Sequence, residues 1–364
     1  MNKFDKNHLV NATQTRRQFL KTVNGLAAGL AAAPFAKLAA AQAGVTYQAA
    51  VAQAESYDAK LILRKMTEMV DGLGGLADVV RPGDKVAIKI NLTGGAQLKT
   101  SAPNIESFMT HPEIVSVLGQ LVRDAGAKEL YIVESVFDAE SYSLFGYEKV
   151  AKKLKATLID LNNPAPYADF ETVAVGADSY IYSELILHRL LREVDTFISV
   201  AKLKCHTSCG VTLAMKNLVG LVPVAHYRLS EDHNWRSALH GADYSPGRIP
   251  RVVVDLNRAR PINFSVIDGI KSAEGGEIPR GSFAPNEPGL LVAGKNALAT
   301  DAVATALMGF NPEANFPDSP FLNGDNYLNL AYDRGLGTNR LSEIEVVGVP
   351  IAEAVYPFAP ATSQ

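Results

Sequence analysis

The chain has 364 residues, 47% of them hydrophobic, so it can bury a large core as a globular protein of one or two domains. Its 35 basic and 38 acidic residues give a net charge of −3, and no basic run follows Lys37, so the sequence offers no positive surface for nucleic acid or an anionic membrane. The two cysteines, Cys205 and Cys209, exclude a disulfide scaffold and any four-cysteine metal or iron–sulfur site made by one chain.

The first 43 residues are predicted to be an export signal. They are polar and basic up to Lys21, apolar between 23 and 35, and end in Ala41-Gln42-Ala43, which is typical of a cleavage site. The segment Thr15-Arg16-Arg17-Gln18-Phe19-Leu20-Lys21 resembles the twin-arginine consensus over its whole length. We therefore predict a periplasmic or otherwise exported protein that engages the twin-arginine export machinery and has no membrane contact after signal cleavage.

A short membrane anchor is the alternative for this leader. Its apolar stretch contains Asn24 and Pro34 and falls short of the roughly 20 apolar residues that a membrane span needs. The leader carries six basic residues and one acidic residue, so the rest of the chain has 29 basic against 37 acidic residues. This acidic balance further disfavours nucleic acid as a partner.

From residue 85 onward, short apolar runs alternate with amphipathic helices, which is typical of a βαβ protein. Residues 86–90 are predicted to form a buried strand, His111-Pro112 to open a helix that Gly126 closes, and residues 130–133 to form the next strand. Further strands are predicted at 156–161, 195–201, 263–268 and 289–293, and further helices at 57–71, 144–154, 183–192 and 300–308. The predicted fold class is α/β, with a mostly parallel sheet, helices on both faces and two lobes.

The predicted lobes follow the leader, one over residues 44–200 and one over residues 201–364, with a single two-lobed unit as an open alternative. The second lobe begins with residues 202–250, which hold four of the seven histidines, the single tryptophan and both cysteines. A long polar segment of weak periodicity inside an α/β protein is usually functional. We therefore predict the functional loop region in residues 202–250.

Cationic side chains are predicted at strand carboxyl ends, where open α/β sheets bind ligands. Lys89 and Asn91 are two residues apart and hence on one face at the end of a strand, and Lys202 and Lys204 follow the strand predicted to end at Ala201. A buried lysine is costly unless it is paired or bound to an anion, so we assign these residues to cofactor or ligand binding. The alternatives are an edge-strand lysine that reaches solvent and a solvated basic turn.

Histidines and carboxylates near these strand ends are the candidate metal ligands and proton carriers. An imidazole at His206 or His233 suits proton transfer or metal binding, and Glu274, in a Gly-rich loop, is the third candidate metal ligand. Asp268 ends another predicted strand and is assigned to cofactor binding.

The cysteines beside His206 allow two further interpretations. Cys205 and Cys209 are soft metal ligands, although three ligands within five residues would strain a tetrahedral site. A disulfide between them is the other possibility in an oxidising compartment.

Lys216 lies inside an apolar segment bounded by Gly210 and Gly220, with Asn217 beside it. A partly buried lysine has a depressed pKa, which suits Schiff-base, covalent or acid–base roles. We predict Lys216, His206 and His233 as catalytic residues and Asn217 as a cofactor contact. The alternative for Lys216 is a helix whose lysine extends to solvent.

These motifs together resemble a family known as domain of unknown function 362, over about residues 80–345. The matching pieces are Gly83-Asp84-Lys85-Val86, Lys89-x-Asn91, His111-Pro112, Lys202-Leu203-Lys204-x-His206, Gly210-x-Thr212-Leu213-x-x-Lys216-Asn217-Leu218-x-Gly220, Asp268-Gly269 and Asp301-Ala302-Val303-Ala304. Ile90 and Cys205 depart from the residues usual there, and the ferredoxin-like cysteine clusters of some members are missing. The resemblance implies a fold and a pocket, and it names no reaction.

A weaker likeness is to the lactate racemase family. In that family a Gly-rich segment with a lysine, followed by a proline and a histidine, holds a nickel-bearing pincer nucleotide, and Lys216, Pro223 and His233 occur here in that order. This likeness implies racemisation or epimerisation of a small hydroxy acid.

The observations together predict an exported enzyme whose cationic pocket acts on a small anionic molecule, a carboxylate or a phosphate. The cofactor is unknown, with a divalent metal or a metal-bearing nucleotide as the candidates. The rival function is a non-catalytic periplasmic protein that binds a metal or an anion, because a binding cleft needs no lysine of depressed pKa.

Overall fold

One large sheet forms the centre of the computed structural model, which describes residues 47–243, 245–277 and 282–362. The predicted export signal lies outside the described residues. The strands are β1 (Tyr47–Gln53), β2 (Lys85–Lys89), β3 (Glu129–Glu134), β4 (Thr157–Asp160), β5 (Glu171–Ala174), β6 (Glu184–Leu187), β7 (Thr196–His206), β8 (Gly210–Thr212), β9 (Phe264–Glu274), β10 (Ala284–Asn286), β11 (Leu290–Gly294) and β12 (Ile344–Gly348).

The main sheet has ten strands, of which eight lie in the order β12-β1-β11-β9-β7-β2-β3-β4. The pairs from β9 through β7, β2 and β3 to β4 are all parallel, whereas β11 runs antiparallel to both β9 and β1. Short β8 and β10 pair with the ends of β7 and β9, and β5 and β6 form a separate antiparallel pair. The sheet is therefore mostly parallel, as predicted.

Helices cover both faces of this sheet. The α-helices are α1 (Ala59–Gly72), α2 (Asn104–Ser107), α3 (Pro112–Asp124), α4 (Ser141–Leu144), α5 (Tyr147–Leu154), α6 (Leu190–Glu193), α7 (Ser237–His240), α8 (Arg248–Ala259), α9 (Ala297–Leu307), α10 (Tyr327–Asp333) and α11 (Ile351–Ala354). The 3-10 helices of the described residues span Lys216–Leu221, Val224–His226 and Leu341–Glu343.

Alternation along β7 shows how the two cores form. Ile198 and Val200 point into the core under α1, α3 and α5, whereas Phe197 and Ala201 point into the core under α8, α9 and α10. Successive side chains of a strand face opposite sides of the sheet, so a strand covered on both faces is apolar throughout. The continuous apolar run of this strand is thereby explained, and the α/β prediction with helices on both faces is confirmed.

The predicted βαβ unit is confirmed in detail. Pro112 occupies the first turn of α3, and the His111 side chain caps that helix by accepting a hydrogen bond from the backbone N–H of Glu113. Gly126 follows the helix with a φ of 108°, a conformation that glycine adopts without the steric cost of a Cβ atom.

Three predicted elements differ from the structure. The strand predicted at 263–268 continues as β9 to Glu274, because β10 pairs with its last residues, so Asp268 lies within the strand and not at its end. The helix predicted at 183–192 is wrong, because Leu185 and Leu187 alternate into the core from β6, and α6 is a single turn after it. The strand predicted at 195–201 continues as β7 to His206, because β8 pairs with its last residues. Lys202 and Lys204 therefore lie within the sheet, and β7 runs without interruption past residue 200.

Among the described residues, no helix has both the length and the apolar character of a membrane span.

Candidate functional site

A cavity of about 400 Å³ opens where β2, β3 and β7 end. These strands are parallel neighbours, so their carboxyl ends meet at one edge of the sheet, which is where α/β proteins commonly bind ligands. Six of the predicted site residues line this cavity: Lys89, Asn91, Lys204, His206, Lys216 and Asn217. The lining is cationic on balance, since Lys89, Lys204, Lys216 and Arg236 stand against the carboxylates of Glu134 and Glu277.

Lys89 is fully buried and its charge is satisfied inside the protein. Its Nζ lies 2.9 Å from Oε1 of Glu134 and donates hydrogen bonds to the carbonyl of Ile90 at 2.7 Å and to Oδ1 of Asn217 at 3.3 Å. Burial lowers the pKa of Lys89 and raises the pKa of Glu134, while the attraction between the two groups opposes both shifts. Lys89 therefore helps to build the cavity wall and has little capacity left for a ligand.

Gly220 gives this ion pair its space. A Cβ atom at Gly220 would lie 2.2 Å from Oε1 of Glu134 and 2.7 Å from Nζ of Lys89. The last glycine of the predicted Lys216 motif is therefore explained by close approach, because no larger residue fits without moving the pair.

Asn217 joins β2 to β7 at the cavity. Its Oδ1 accepts from Nζ of Lys89, and its Nδ2 donates to Oγ of Ser199 at 3.0 Å and to the carbonyl of Lys89 at 3.3 Å. Asn91 has a similar local role, because its Oδ1 accepts from the backbone N–H of Thr93. Both predicted contacts border the cavity, and both also hold backbone in place.

Lys204 and Lys216 differ from Lys89 because neither forms an ion pair with a carboxylate in the described part of the chain. Lys204 is 4% exposed and donates to the carbonyl of Phe108 at 3.0 Å, with its Nζ 3.5 Å from the centre of the Phe108 ring. Lys216 is 9% exposed, and no described residue accepts a hydrogen bond from its Nζ. Burial lowers the pKa of both amines, and the charge of Lys216 lowers the pKa of Lys204 further.

The backbone that carries Lys216 is held by the buried carboxylate of Asp301. Its oxygens accept from the backbone N–H groups of Ala214 at 2.8 Å and Met215 at 3.0 Å, and from the hydroxyl of Tyr327 at 3.0 Å. Burial raises the pKa of Asp301 to about 7, although these hydrogen bonds lower it. The start of the 3-10 helix is thus fixed from the adjoining core.

His206 presents a defined ring nitrogen. Its Nδ1 accepts from the backbone N–H of Ser208 at 3.1 Å, so a neutral ring carries its proton on Nε2, which lies 3.8 Å from Oε1 of Glu277. The other oxygen of Glu277 accepts from the N–H and hydroxyl of Thr207 at 2.7 and 2.9 Å. Burial, with the charges of Lys216, His240 and Lys204, lowers the pKa of His206 well below its usual value, so the ring is neutral at physiological pH.

Lys202 and Asp268 lie away from the cavity, in a buried network of their own. Nζ of Lys202 is 3.0 Å from Oδ2 of Asp268 and 2.8 Å from the hydroxyl of Tyr57, and Tyr57 stacks on His111 with ring centres 3.7 Å apart. Asp268 also accepts from the backbone N–H of His111 at 3.0 Å. The network ties β7 and β9 to the beginning of α3, which is a structural arrangement.

The three predicted metal ligands, His206, His233 and Glu274, do not share one site. Nδ1 of His233 is 2.6 Å from Oγ of Ser237 and its ring stacks on Trp235, while Oε2 of Glu274 accepts from the backbone N–H of Ala359 at 2.9 Å. Neither His233 nor Glu274 lines the cavity as His206 does. Within the described ranges, no group of three or more His, Cys, Asp or Glu side chains has the geometry to hold a metal.

Both cysteines are buried free thiols, so the disulfide alternative does not apply to this structure. Sγ of Cys205 donates a weak hydrogen bond to the carbonyl of Ala359 at 3.2 Å. Burial raises the pKa of Cys209 to about 12 and that of Cys205 above its usual range, which makes both thiols poor metal ligands or nucleophiles.

The cavity residues absent from the predicted set include Glu134, Arg236, Trp235 and Glu277. Glu134 carried a usable signal, because an acidic residue at the end of an apolar strand mirrors Lys89 at the end of the strand beside it. Arg236 is 5% exposed and donates to the carbonyls of Val222 and Ser135, both at 2.8 Å. Its position in a polar loop gave no periodicity from which burial could be read.

Comparison with known proteins gives a family and distant structural likenesses. Residues 86–306 match the model of the family described as domain of unknown function DUF362. The thylakoid-associated protein sll1697 of Synechocystis sp. is 29% identical over 260 residues, which cover 71% of this chain and 74% of that protein.

Two solved structures are similar at low identity. The lactate racemase apoprotein from Thermoanaerobacterium thermosaccharolyticum has 12% identity and a TM-score of 0.36, over 62% of this chain and 51% of that one. A protein from Thermotoga maritima has 13% identity and a TM-score of 0.35, over 68% of this chain and 57% of that one. This chain therefore spans little more than half the length of either structure.

Proposed function

The chain belongs to the DUF362 family, whose description names no reaction, and we propose that it is an enzyme that binds a small carboxylate or phosphate compound in its cationic cavity. The observation that carries this proposal is the pair of buried amines, Lys204 and Lys216, which face the cavity and have no carboxylate partner among the described residues. Proteins rarely leave such charges unpaired, because burial of an unpaired ion costs several kcal/mol. A bound anion would supply the missing partner.

A third group supports an anionic ligand. Thr212 also lines the cavity, and its Oγ1 is buried without a hydrogen-bond partner in the described ranges. A hydroxyl donates readily to a carboxylate or phosphate oxygen, and an unsatisfied buried hydroxyl is otherwise unfavourable. With about 400 Å³, the cavity is in the size range of small-molecule sites.

The same geometry supports catalysis in addition to binding. Lys216 has a lowered pKa and a fixed backbone, which suits an amine that exchanges a proton or attacks a carbon atom near neutral pH. The neutral ring of His206 offers Nε2–H as a hydrogen-bond donor to a developing negative charge. These two groups are the proposed catalytic residues.

The nickel-bearing nucleotide of lactate racemases does not fit the residue set that suggested it. Lys216 lines the cavity, but His233 is engaged with Ser237 and Trp235 and does not line it. The proposed chemistry therefore uses the amines and imidazole of this chain.

Ligand binding is tested by thermal unfolding of the purified protein with inorganic phosphate, pyrophosphate, lactate and malate. At least one of these anions should raise the unfolding temperature in a saturable manner, and Lys204→Met or Lys216→Met should abolish the rise. The matched control is Lys60→Met, which removes an exposed lysine on α1. Equal stabilisation in the wild-type protein and both cavity variants would refute the proposed site.

Export by the twin-arginine route is part of the same proposal. It rests on the Arg16-Arg17 motif, and a relative named as thylakoid-associated is compatible with a protein that leaves the cytoplasm. A double variant, Arg16→Lys with Arg17→Lys, should leave the protein in the cytoplasmic fraction of the host. An unchanged distribution between cytoplasm and periplasm would show another route.

A further inference from the structure

We propose that Lys216 forms an imine with the carbonyl carbon of a 2-oxo acid, whose carboxylate is bound by Lys204. This inference rests on the proposed anion site and specifies its substrate class and its covalent chemistry. Both amines line the same cavity, and the charge of one acts on the other.

The surroundings of the two amines assign them different roles. Lys204 has a carbonyl acceptor at 3.0 Å and an aromatic face at 3.5 Å, both supplied by Phe108, and both stabilise a positive charge. Lys216 has no acceptor among the described residues, so burial acts on its charge without compensation from a hydrogen bond. Although burial and the charge of Lys216 lower the pKa of Lys204 well below its usual value, the contacts with Phe108 lead us to assign the cation to Lys204 and the neutral amine to Lys216. A neutral, unengaged amine is the form that attacks a carbonyl carbon.

The position of Lys216 is rigid enough for this attack. The preceding peptide is held on both sides, because the N–H of Met215 donates to Asp301 and the carbonyl of Met215 accepts from Nδ2 of Asn257 at 2.9 Å. The amine therefore extends from a backbone that is anchored in the core. An anchored backbone lowers the entropy cost of placing the nucleophile next to a bound electrophile.

His206 and Glu277 supply the proton transfers that imine formation requires. Nitrogen of Lys216 bonds to the carbonyl carbon, the carbon–oxygen bond breaks, and both amine hydrogens leave with that oxygen as water. Nε2–H of His206 donates to the oxygen while negative charge develops on it. Oε1 of Glu277, the oxygen that Thr207 does not hold, carries protons from nitrogen to oxygen. No oxidant or reductant is needed.

The experiment traps the imine with cyanoborohydride while the protein is incubated with pyruvate or glyoxylate. Mass spectrometry of the intact chain and of its peptides should find one reduced adduct per chain, located at Lys216. The adduct should be absent from Lys216→Arg, which keeps a cation and is not nucleophilic. Lys204→Met should slow trapping about tenfold or more, because a charge-assisted contact to the carboxylate is lost. Lys60→Met should trap at the wild-type rate.

Lactate separates this inference from the proposed function, because it carries the carboxylate without the carbonyl. The imine would be overturned, and the anion site retained, if lactate stabilises the protein through Lys204 while pyruvate and glyoxylate give no adduct at Lys216. An adduct that forms equally in Lys216→Arg would also overturn it. If neither lactate, pyruvate nor phosphate binds, the proposed function and the imine fail together.

Discussion

Replacing Gly220 with alanine tests whether the Lys89–Glu134 ion pair holds the cavity wall together. Gly220 has φ −79° and ψ 15°, a negative φ that alanine can also adopt, so the substitution requires no left-handed backbone. The added Cβ atom would meet Oε1 of Glu134 at 2.2 Å and Nζ of Lys89 at 2.7 Å, both shorter than van der Waals contact. One or both charged groups must therefore move.

The expected cost follows from two opposing effects. Disrupting a buried ion pair costs roughly 3–5 kcal/mol, because it leaves a buried charge without its partner. Alanine also restricts the unfolded chain, which returns about 0.4–1 kcal/mol. We expect Gly220→Ala to lower the free energy of unfolding by about 2–4 kcal/mol.

Urea denaturation measures this free energy, and a double-mutant cycle identifies its cause. In a Lys89→Met, Glu134→Ala background neither the ion pair nor the atoms that the added Cβ would meet most closely remain, so Gly220→Ala should cost less than about 1 kcal/mol there. A wild-type free energy in Gly220→Ala would refute the steric argument. The same loss in both backgrounds would show that the pair is not what the alanine disturbs.

Three further predictions concern buried titratable groups. Because burial raises the pKa of Asp301 to about 7, the folded state keeps a proton that the unfolded state loses above about pH 4, and the free energy of unfolding should fall as the pH rises through this interval. Asp301→Asn should flatten that fall in urea titrations at each pH. Lys202→Met should lower the free energy of unfolding by roughly 3–5 kcal/mol, whereas Lys204→Met should not lower it, since among the described residues Lys202 has a buried carboxylate partner and Lys204 has none. Cys205 and Cys209 should react with dithionitrobenzoate only after unfolding, because both thiols are buried and have raised pKa values.

One measured result would contradict each of these three predictions. A pH profile that is identical in the wild-type protein and Asp301→Asn would mean that this carboxyl group does not titrate in the interval. Equal losses in Lys202→Met and Lys204→Met would contradict the different surroundings of the two amines. Rapid labelling of either cysteine in folded protein would show that its burial is transient.

The amino-acid sequence determined the local elements and the edge of the sheet at which polar groups collect. Apolar runs predicted β2, β3, β4 and β11, and helical spacing predicted α1, α3, α5 and α9, because each signal needs only near neighbours along the chain. Of the four lysines predicted at the site, Lys89, Lys204 and Lys216 line the cavity, whereas Lys202 does not.

Only the tertiary structure decided which of these residues are engaged and which face the cavity. Lys202 and Lys204 differ by two positions, yet the register of β7 against β9 shifts between them, so one pairs with Asp268 and the other turns to Phe108. Asp301 acts on Met215 from 86 residues away. Partners so distant in the chain are selected by strand order and by the packing between elements, and near-neighbour patterns do not encode either.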